Sequence, residues 1–581
     1  MIQTGIRVAA PSGRPVSERL FGCNLEPTRR TSWSGLSAQM INNRKFYALT
    51  DTGFAGFESA GSVAIGADRS RSVCGSTYPI VTDGSLTQRS RELTALRGRS
   101  YRLRLWSENG TDARITVRWG EAFSRSFSLP GKPEPRLTEA TFEAKAEGEQ
   151  PFTLAVEGTA ALYCVSLTPA DAFYGMRREA VEELKKLRIS FLRFPGGCYA
   201  EAYDWKQGLL PPDRRPPVAT DLYDGDFLQR NTYGYECHET GTDEFMALCR
   251  EIGAAPALTV PIIGQDPQNA ADWAEYCLGG GETRYGALRI ARGHAAPYPV
   301  KVWFIGNEVY FFGRELAEDG ERAGGRELEF LRAIKRIDPA AETVAGCSPY
   351  RPEWSRASLQ RCGGASDLFS HHFYFTNEFA DNADSFTAEE ALQVAEPFLA
   401  DLRETLALVE GCGVKDPAVS IDEWGFDWGN RGSTLSAVTD GLILMEILRW
   451  EQRYRIREAC YFHPVNEGLI RVEPDRAEPD LFGELWPLFR AHAGEVPAET
   501  ETGDGGIAAV ATAADRTRLT LINRDLRQAR EVTVPGRRIL RAEVFTPAAL
   551  TLTCRSMERR RLEEPAAVTL APGAVAQLIC E

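Results

Sequence analysis

The sequence predicts an α/β protein: a (β/α)8 TIM barrel with an inserted β-sandwich and a second β-sandwich at its C-terminal end. Three observations carry this reading. Apolar runs begin near residues 20, 189, 257, 301, 342, 367, 418 and 458, and most alternate with helical patterns. Eight such units are the rhythm of a parallel barrel. Between residues 47 and 169 the period changes to two, and beyond 491 helical spacing stops and short strand-like runs take over. Both stretches read as antiparallel β-structure. A chain of 581 residues exceeds one ordinary core, so several units are expected. The divisions are 1–19, an N-terminal strand completing the C-terminal β-domain; 20–46 and 170–490, the barrel; 47–169, the insert; and 491–581, the C-terminal β-sandwich.

Taken in order, a strand-like piece at 6–9 opens the chain. The run 20–26 reads as the first barrel strand, with Glu26 at its polar tip. Leu36, Met40 and Ile41 give 34–46 roughly helical spacing. The insert follows, with alternating runs at 101–106 and 114–119. Its aromatics Trp106, Trp119 and Phe123 serve core packing or, alternatively, a carbohydrate platform. Helical spacing resumes at 172–187, where Phe173, Met176, Ala180, Leu184 and Leu187 share a side. The strand 189–194 is stopped by Pro195-Gly196-Gly197. Helix 241–253, with Thr242 as N-cap, precedes strand 256–262. Helix 270–278, strand 301–305, helix 326–337 and strands 342–346 and 366–372 come next. A helix at 391–409, kinked or restarted at Pro397, leads to strand 418–424. Helix 435–453 and strand 458–463 complete the barrel. Six short runs between 507 and 580 make the last domain.

Composition narrows the function classes. Lys and Arg total 67 against 81 Asp and Glu, a net charge of −14. An acidic chain lacks the basic face that nucleic acid or an anionic membrane requires. The run Arg559-Arg560-Arg561 reads as a solvated face. Thirteen cysteines occur without a CxxC pair, and several sit in apolar stretches, which suits buried thiols in a reducing compartment. No apolar run reaches the length of a membrane span and the first residues lack a signal-peptide pattern, so a soluble cytoplasmic protein is expected.

Two carboxylates stand at strand ends. Trp303-Phe304-Ile305-Gly306-Asn307-Glu308 ends the fourth strand and Asp422-Glu423-Trp424 the seventh. Groups at the C-terminal ends of barrel strands point into one mouth. Paired carboxylates flanking a bond are what glycoside hydrolysis needs: one protonates the leaving oxygen, and the other stays ionised. Each alone would be an ordinary loop residue; together they make a site.

At these residues the chain resembles glycoside hydrolase family 51, the α-L-arabinofuranosidases of clan A. The likeness rests on Leu192-Arg193-Phe194-Pro195-Gly196-Gly197-Cys198, Tyr203-Asp204-Trp205, Gly241-Thr242-Asp243-Glu244-Phe245, the Trp303 to Glu308 motif, His372-Phe373-Tyr374, Asp422-Glu423-Trp424 and Pro464-Val465-Asn466. It extends from Phe21 to about Asn466. The resemblance implies a retaining, exo-acting enzyme that removes terminal α-L-arabinofuranosyl residues from arabino-oligosaccharides. Glu308 would be the acid/base and Glu423 the nucleophile. Asn307 would bond the sugar 2-OH, Glu26 the furanose hydroxyls, and Tyr374 would orient the nucleophile. His372 would sit beside the acid/base, and Arg193 would keep Glu423 ionised. Trp205, Cys198 and His463 complete the implied substrate contacts. The insert resembles the carbohydrate-binding-like domain of some members. A homo-oligomer, trimer or hexamer, is also implied.

Departures keep alternatives open. Cys198 stands where some members carry Asn; a thiol is a weaker sugar contact, and packing is its other use. His463-Pro464 stand where many members have Gln. Tyr235 to Glu239 and Thr259 to Gly264 fit the family poorly. A clan A hydrolase of other specificity (β-xyloside, another furanoside or β-glucan) is therefore the second reading, and a non-catalytic sugar-binding protein the third. Cys237-His238-Glu239 lacks the second His of a zinc motif, and Gly279-Gly280-Gly281-Glu282 lacks the context of a phosphate loop. No metal and no cofactor are expected.

Overall fold

The computed structural model describes residues 2–219, 232–375, 387–426, 431–503 and 505–581. Eight strands close into a barrel: β1 (Gly22–Asn24), β2 (Phe191–Phe194), β3 (Ala255–Val260), β4 (Val302–Ile305), β5 (Glu342–Ala345), β6 (Leu368–Phe375), β7 (Val419–Phe426) and β8 (Ile456–Tyr461). Neighbours pair in parallel, and β8 returns to β1. Alternation along each strand sorts the side chains. Phe191, Ala257, Val302, Phe304, Val344, Leu368, Ala418 and Cys460 form one apolar cluster. Their neighbours Leu192, Leu258, Trp303, Ala345, Phe369 and Val419 join the larger cluster shared with the helices. The inside of the barrel is thus packed with apolar groups at one level and is free to carry polar groups beyond it.

The surrounding helices include α1 (Arg178–Lys186), α2 (Thr242–Ile252), α3 (Pro267–Leu278), α4 (Gly320–Ile337), α5 (Pro352–Cys362), α6 (Ala395–Gly411) and α7 (Thr434–Trp450). α6 starts afresh at Ala395, with Pro397 in its first turn where proline is tolerated. α7 is buried from Thr434 to Leu448. It lies between the barrel and the C-terminal domain: Arg449 donates to the Ala509 carbonyl at 2.7 Å, and Gly441 approaches Phe489 and Ile522.

Several expected elements differ. Residues 34–46 form no helix; a turn with non-helical angles at Trp33, Ser34 and Gly35 leads into loops. Leu36 packs into the barrel cluster, whereas Met40 and Ile41 pack into the insert. The helix expected at 172–187 starts only at Arg178, after a turn in which Phe173 and Met176 exchange backbone bonds. The N-cap of α2 is Gly241, not Thr242, and the Glu244 carboxylate accepts the Gly241 amide at 2.9 Å.

The insert contains Glu58–Gly66, Tyr78–Gln88, Ser100–Asn109, Ala113–Trp119, Phe123–Leu129, Lys132–Glu143 and the long strand Phe152–Pro169. The first part of Phe152–Pro169 pairs with Ala113–Trp119 and Tyr78–Gln88, and the second part with Ser100–Asn109. Its register shift beside Gly158 lets one strand serve both layers. Trp119 is fully buried, Phe123 stacks on Phe142 at 3.7 Å, and the Trp106 indole donates to Asp213. These rings pack rather than form an exposed platform. The insert is tied to the loop after β2 by Arg44, which pairs with Asp213 at 3.0 Å and Glu239 at 2.8 Å.

In the C-terminal part a six-stranded antiparallel sheet spans Val496–Ala498 to Val575–Cys580. Ile2–Gly5 pairs with Arg530–Thr533, and Arg7–Val8 pairs with Thr500–Glu501. The arginine run lies in an edge strand not foreseen above, Met557–Glu563, and is exposed. Among the described residues no helix is long and apolar enough to cross a membrane.

Candidate active site

The polar groups gather at the C-terminal ends of the barrel strands. Inward positions alternate along β6, so Ser370 and His372 face the interior, while His371 turns outward to Thr405 on α6 at 3.0 Å. Along β7 the same rule would send Asp422 and Glu423 to opposite faces. A bulge prevents this. The pairing of β7 with β6 and with β8 slips at this point, so that Ile421 opposes Ala459 while Trp424 opposes Tyr461. One extra residue is absorbed. Asp422 and Glu423 both reach the polar cluster, and Trp424 packs outward on Tyr461 and Phe482.

Glu423 is held on both oxygens. Its Oε1 accepts from Arg193 at 3.0 Å and from Asn24 at 3.3 Å, and its Oε2 accepts from the Tyr374 hydroxyl at 2.6 Å. Arg193 is fully buried on β2, lies over the Phe304 ring and donates its other nitrogen to Asn307 at 2.7 Å. Asn307 therefore keeps its amide nitrogen without a protein partner among the described residues. Glu308 follows with φ 44°, after Gly306 at φ 74°. This left-handed turn carries its carboxylate to His372 Nδ1, at 2.9 Å. An oxygen of Glu308 and an oxygen of Glu423 lie within 4.8 Å of each other.

His372 links the two halves. Its Nε2 faces Asp422 at 3.2 Å while Nδ1 faces Glu308. Burial alone would make the ring harder to protonate. The carboxylates of Glu423 and Asp422 outweigh it and hold the imidazole well above its usual range. Burial likewise opposes ionisation of Asp422, but His372, Arg193 and the Ser370 hydroxyl keep it below the ordinary carboxylate range. Glu308, His372 and Glu423 have the spacing of a metal triad. Their chemistry does not fit one. The Arg193 guanidinium and the Tyr374 hydroxyl already occupy the two Glu423 oxygens, and a cation held there would face the Arg193 charge.

Glu26 follows β1 and is fully buried. Tyr199 donates its backbone amide to Oε1 at 2.5 Å, and Oε2 has no hydrogen-bond partner. Burial pushes this carboxyl up to about 7 against the opposing charge of Arg29. His463 is buried beside it and stays neutral, since burial and Arg29 both push its ring well below the usual range. Its Nδ1–H donates to the Asn24 carbonyl at 3.1 Å, which leaves Nε2 3.4 Å from Arg29 and 3.7 Å from Glu26. Cys198 is half-buried, close enough to Glu26, Glu308 and Glu423 for their charges to act on its thiol.

Trp205 does not belong to this group. Its ring stacks parallel to Trp273 with centroids 6.0 Å apart, and its indole donates to Asn269 at 3.1 Å. It is buried in the core behind the loop because its flat apolar surface is worth more against other rings than against solvent. Two contributors went unread in the sequence. Asn24 carries no motif signal of its own. Asp422 was visible as Glu423's neighbour, but strict alternation would have turned one of the two away.

Residues 183–391 match the model of the alpha-L-arabinofuranosidase 1 domain. A probable alpha-L-arabinofuranosidase C of Aspergillus clavatus is 28% identical over 268 residues, 43% of this chain and 50% of that protein. An intracellular exo-alpha-(1->5)-L-arabinofuranosidase of Acetivibrio thermocellus is 28% identical over 260 residues, 43% and 49% of the two chains. The chain therefore spans about half the length of these relatives. The solved structure of a thermostable family 51 alpha-L-arabinofuranosidase from Thermotoga petrophila superposes with a TM-score of 0.60 at 22% identity, covering 71% of this chain and 92% of that one. This last likeness concerns the fold.

Proposed function

We propose that the chain belongs to the α-L-arabinofuranosidases of glycoside hydrolase family 51, a reading supported by the match over residues 183–391 and by the two relatives, and that it is a retaining, exo-acting α-L-arabinofuranosidase. Its substrates are arabino-oligosaccharides, from which it removes the terminal arabinofuranosyl residue. The observation that carries this reading is the short separation of the Glu308 and Glu423 oxygens, within 4.8 Å. Retaining glycosidases place their carboxyls about 5–5.5 Å apart, whereas inverting ones leave about 6.5–9.5 Å for a water.

Glu423 attacks the anomeric carbon. The ion pair to Arg193 and the hydroxyl of Tyr374 hold it and aim it. Glu308 gives its proton to the leaving oxygen and then removes a proton from the water that frees the sugar. The Asn307 amide nitrogen donates to the sugar 2-OH, a contact that tightens as positive charge develops on the ring. Glu26 and His463 hold the remaining hydroxyls, and Cys198 lies at their edge. All thirteen cysteines are free and nine are buried, which supports a reducing, cytoplasmic setting and small imported substrates. The family resemblance extends to a trimer or hexamer, which light scattering tests.

The deciding assay compares aryl α-L-arabinofuranoside with aryl β-xyloside and β-glucoside. Turnover of the arabinofuranoside alone, with a first product of retained configuration by NMR, is expected. Azide should rescue Glu423→Ala as the inverted arabinosyl azide. No turnover of the arabinofuranoside, or an inverted first product from the native chain, defeats the proposal.

A further inference from the structure

We propose that Glu201 is a positioning residue for Asn307 and Glu308: its buried carboxylate fixes the turn that aims both groups at the substrate. The inference rests on the reading of Glu308 as acid/base.

Glu201 sits in the short turn Cys198–Ala202, directly after the Pro195-Gly196-Gly197 loop, and is buried. Its Oε2 accepts the backbone amides of Ile262 at 2.8 Å and Ile263 at 2.9 Å, and its Oε1 accepts the amide of Asn307 at 3.1 Å. The carboxylate itself follows β2, and its donors follow β3 and β4. One side chain therefore joins three successive strand ends at the mouth of the barrel. Among the described residues no arginine, lysine or histidine acts on this carboxyl. Burial pushes it up to about 7, and the three amides oppose that shift. A buried carboxylate without a cation is costly, and a fold that needed only packing would be better served by an apolar side chain.

What the carboxylate holds is the segment Gly306-Asn307-Glu308. The Gly306 amide donates to Val260 at 2.9 Å, the Asn307 amide donates to Glu201, and Glu308 then turns left-handed. A Cβ on Gly306 would come within 3.0 Å of the Glu201 Oε1, so the carboxylate fits the space that the glycine leaves. Without Glu201 the Asn307 amide loses its acceptor, and the residue next in the chain is the proposed proton donor. A displacement of 1 Å at such a group can cost on the order of 10²-fold in rate.

The test uses the full chain with Glu201→Ala and Glu201→Gln, the second keeping size and one acceptor oxygen should the first fail to fold. kcat/KM is measured on aryl α-L-arabinofuranosides whose leaving groups run from nitrophenols to phenol. Good leaving groups need little proton donation. The nitrophenyl substrate should lose no more than about tenfold, the share of the Asn307 contact with the 2-OH, and the phenyl substrate on the order of 10²-fold, with the Gln variant in between. The rate thus becomes more dependent on leaving-group basicity. An equal loss across the series, or none, overturns the inference and leaves the proposed activity standing. A native chain that cleaves no α-L-arabinofuranoside overturns the activity, and this inference with it.

Discussion

Gly197 offers a sharp test of how closely the site is packed. A Cβ built at this residue would lie 2.2 Å from Glu423 Oε1, 3.1 Å from its carboxyl carbon and 3.3 Å from Glu26 Oε2. Carbon and oxygen do not approach this closely, so in Gly197→Ala the Glu423 carboxylate must retreat by close to ~1 Å, a displacement that can cost on the order of 10²-fold in rate. That retreat strains the bonds from Arg193 at 3.0 Å and Tyr374 at 2.6 Å. Loss of one hydrogen bond to a charged group costs about 1.5–3 kcal/mol, or roughly 10–100-fold, which agrees with the displacement estimate. The assay is kcat/KM on an aryl α-L-arabinofuranoside, with circular dichroism and Tm as folding controls. A folded G197A with activity within about twofold of the native chain refutes this reasoning, because a 1 Å shift of the proposed nucleophile would then be harmless. Gly196→Ala is the contrasting control. Its φ of +97° and a contact of 2.4 Å to the Glu26 Cβ predict a loss of stability as well as activity.

Tyr374→Phe removes the hydroxyl bond to Glu423 and should lower kcat/KM by about 10–100-fold with the fold intact, measured by steady-state kinetics and Tm. Glu26→Gln removes a carboxyl whose folded value is raised to about 7. A raised acid stabilises the fold while protonated and loses that contribution as pH climbs from the unfolded value, about 4.3, through the folded one. The Tm advantage of the Gln variant should therefore widen between those two values and then level off; a difference that does not change with pH speaks against the buried, unpaired Oε2. Arg44→Met takes from buried Glu239 its ion pair at 2.8 Å, while Asp213 keeps Arg104 at 2.9 Å, so urea titration should show a loss of about 3–5 kcal/mol, carried by Glu239.

The strands were readable because a barrel strand is apolar on both faces, and the runs around Trp303, Leu258 and Ile421 stand out from the helical patterns that separate them. The stretch 34–46 misled for a physical reason. Leu36, Met40 and Ile41 have helical spacing, yet they serve two cores, because the chain crosses from the barrel to the insert between them. Trp205 misled in another way. It was expected at the sugar only because the motif Tyr203-Asp204-Trp205 resembles the family's, and the packing of Trp273 and Asn269, far away in sequence, shows that it is core. α7 carries almost no amphipathic signal because two domains cover it, and the helix expected at 435–453 runs from Thr434 to Trp450. Glu308 and Glu423 were legible as strand-end carboxylates. Their distance was not, since it depends on a bulge in β7 that leaves no mark in composition.

That bulge also determines where the proton on Glu308 must sit. By bringing Asp422 inward beside Glu423, it gives His372 a second carboxylate, at Nε2. With Asp422 ionised on one side, both ring nitrogens carry hydrogen, and Nδ1–H donates to Glu308 Oε1 at 2.9 Å. An oxygen that accepts a bond from an imidazolium is a poor place for a second proton. In the proposed mechanism the proton that Glu308 delivers would therefore sit on Oε2, the oxygen that His372 leaves unbonded. Strict alternation along β7 would have left Glu423 or Asp422 outside the barrel, and in either case one of the two functions, attack or proton placement, would lose its residue.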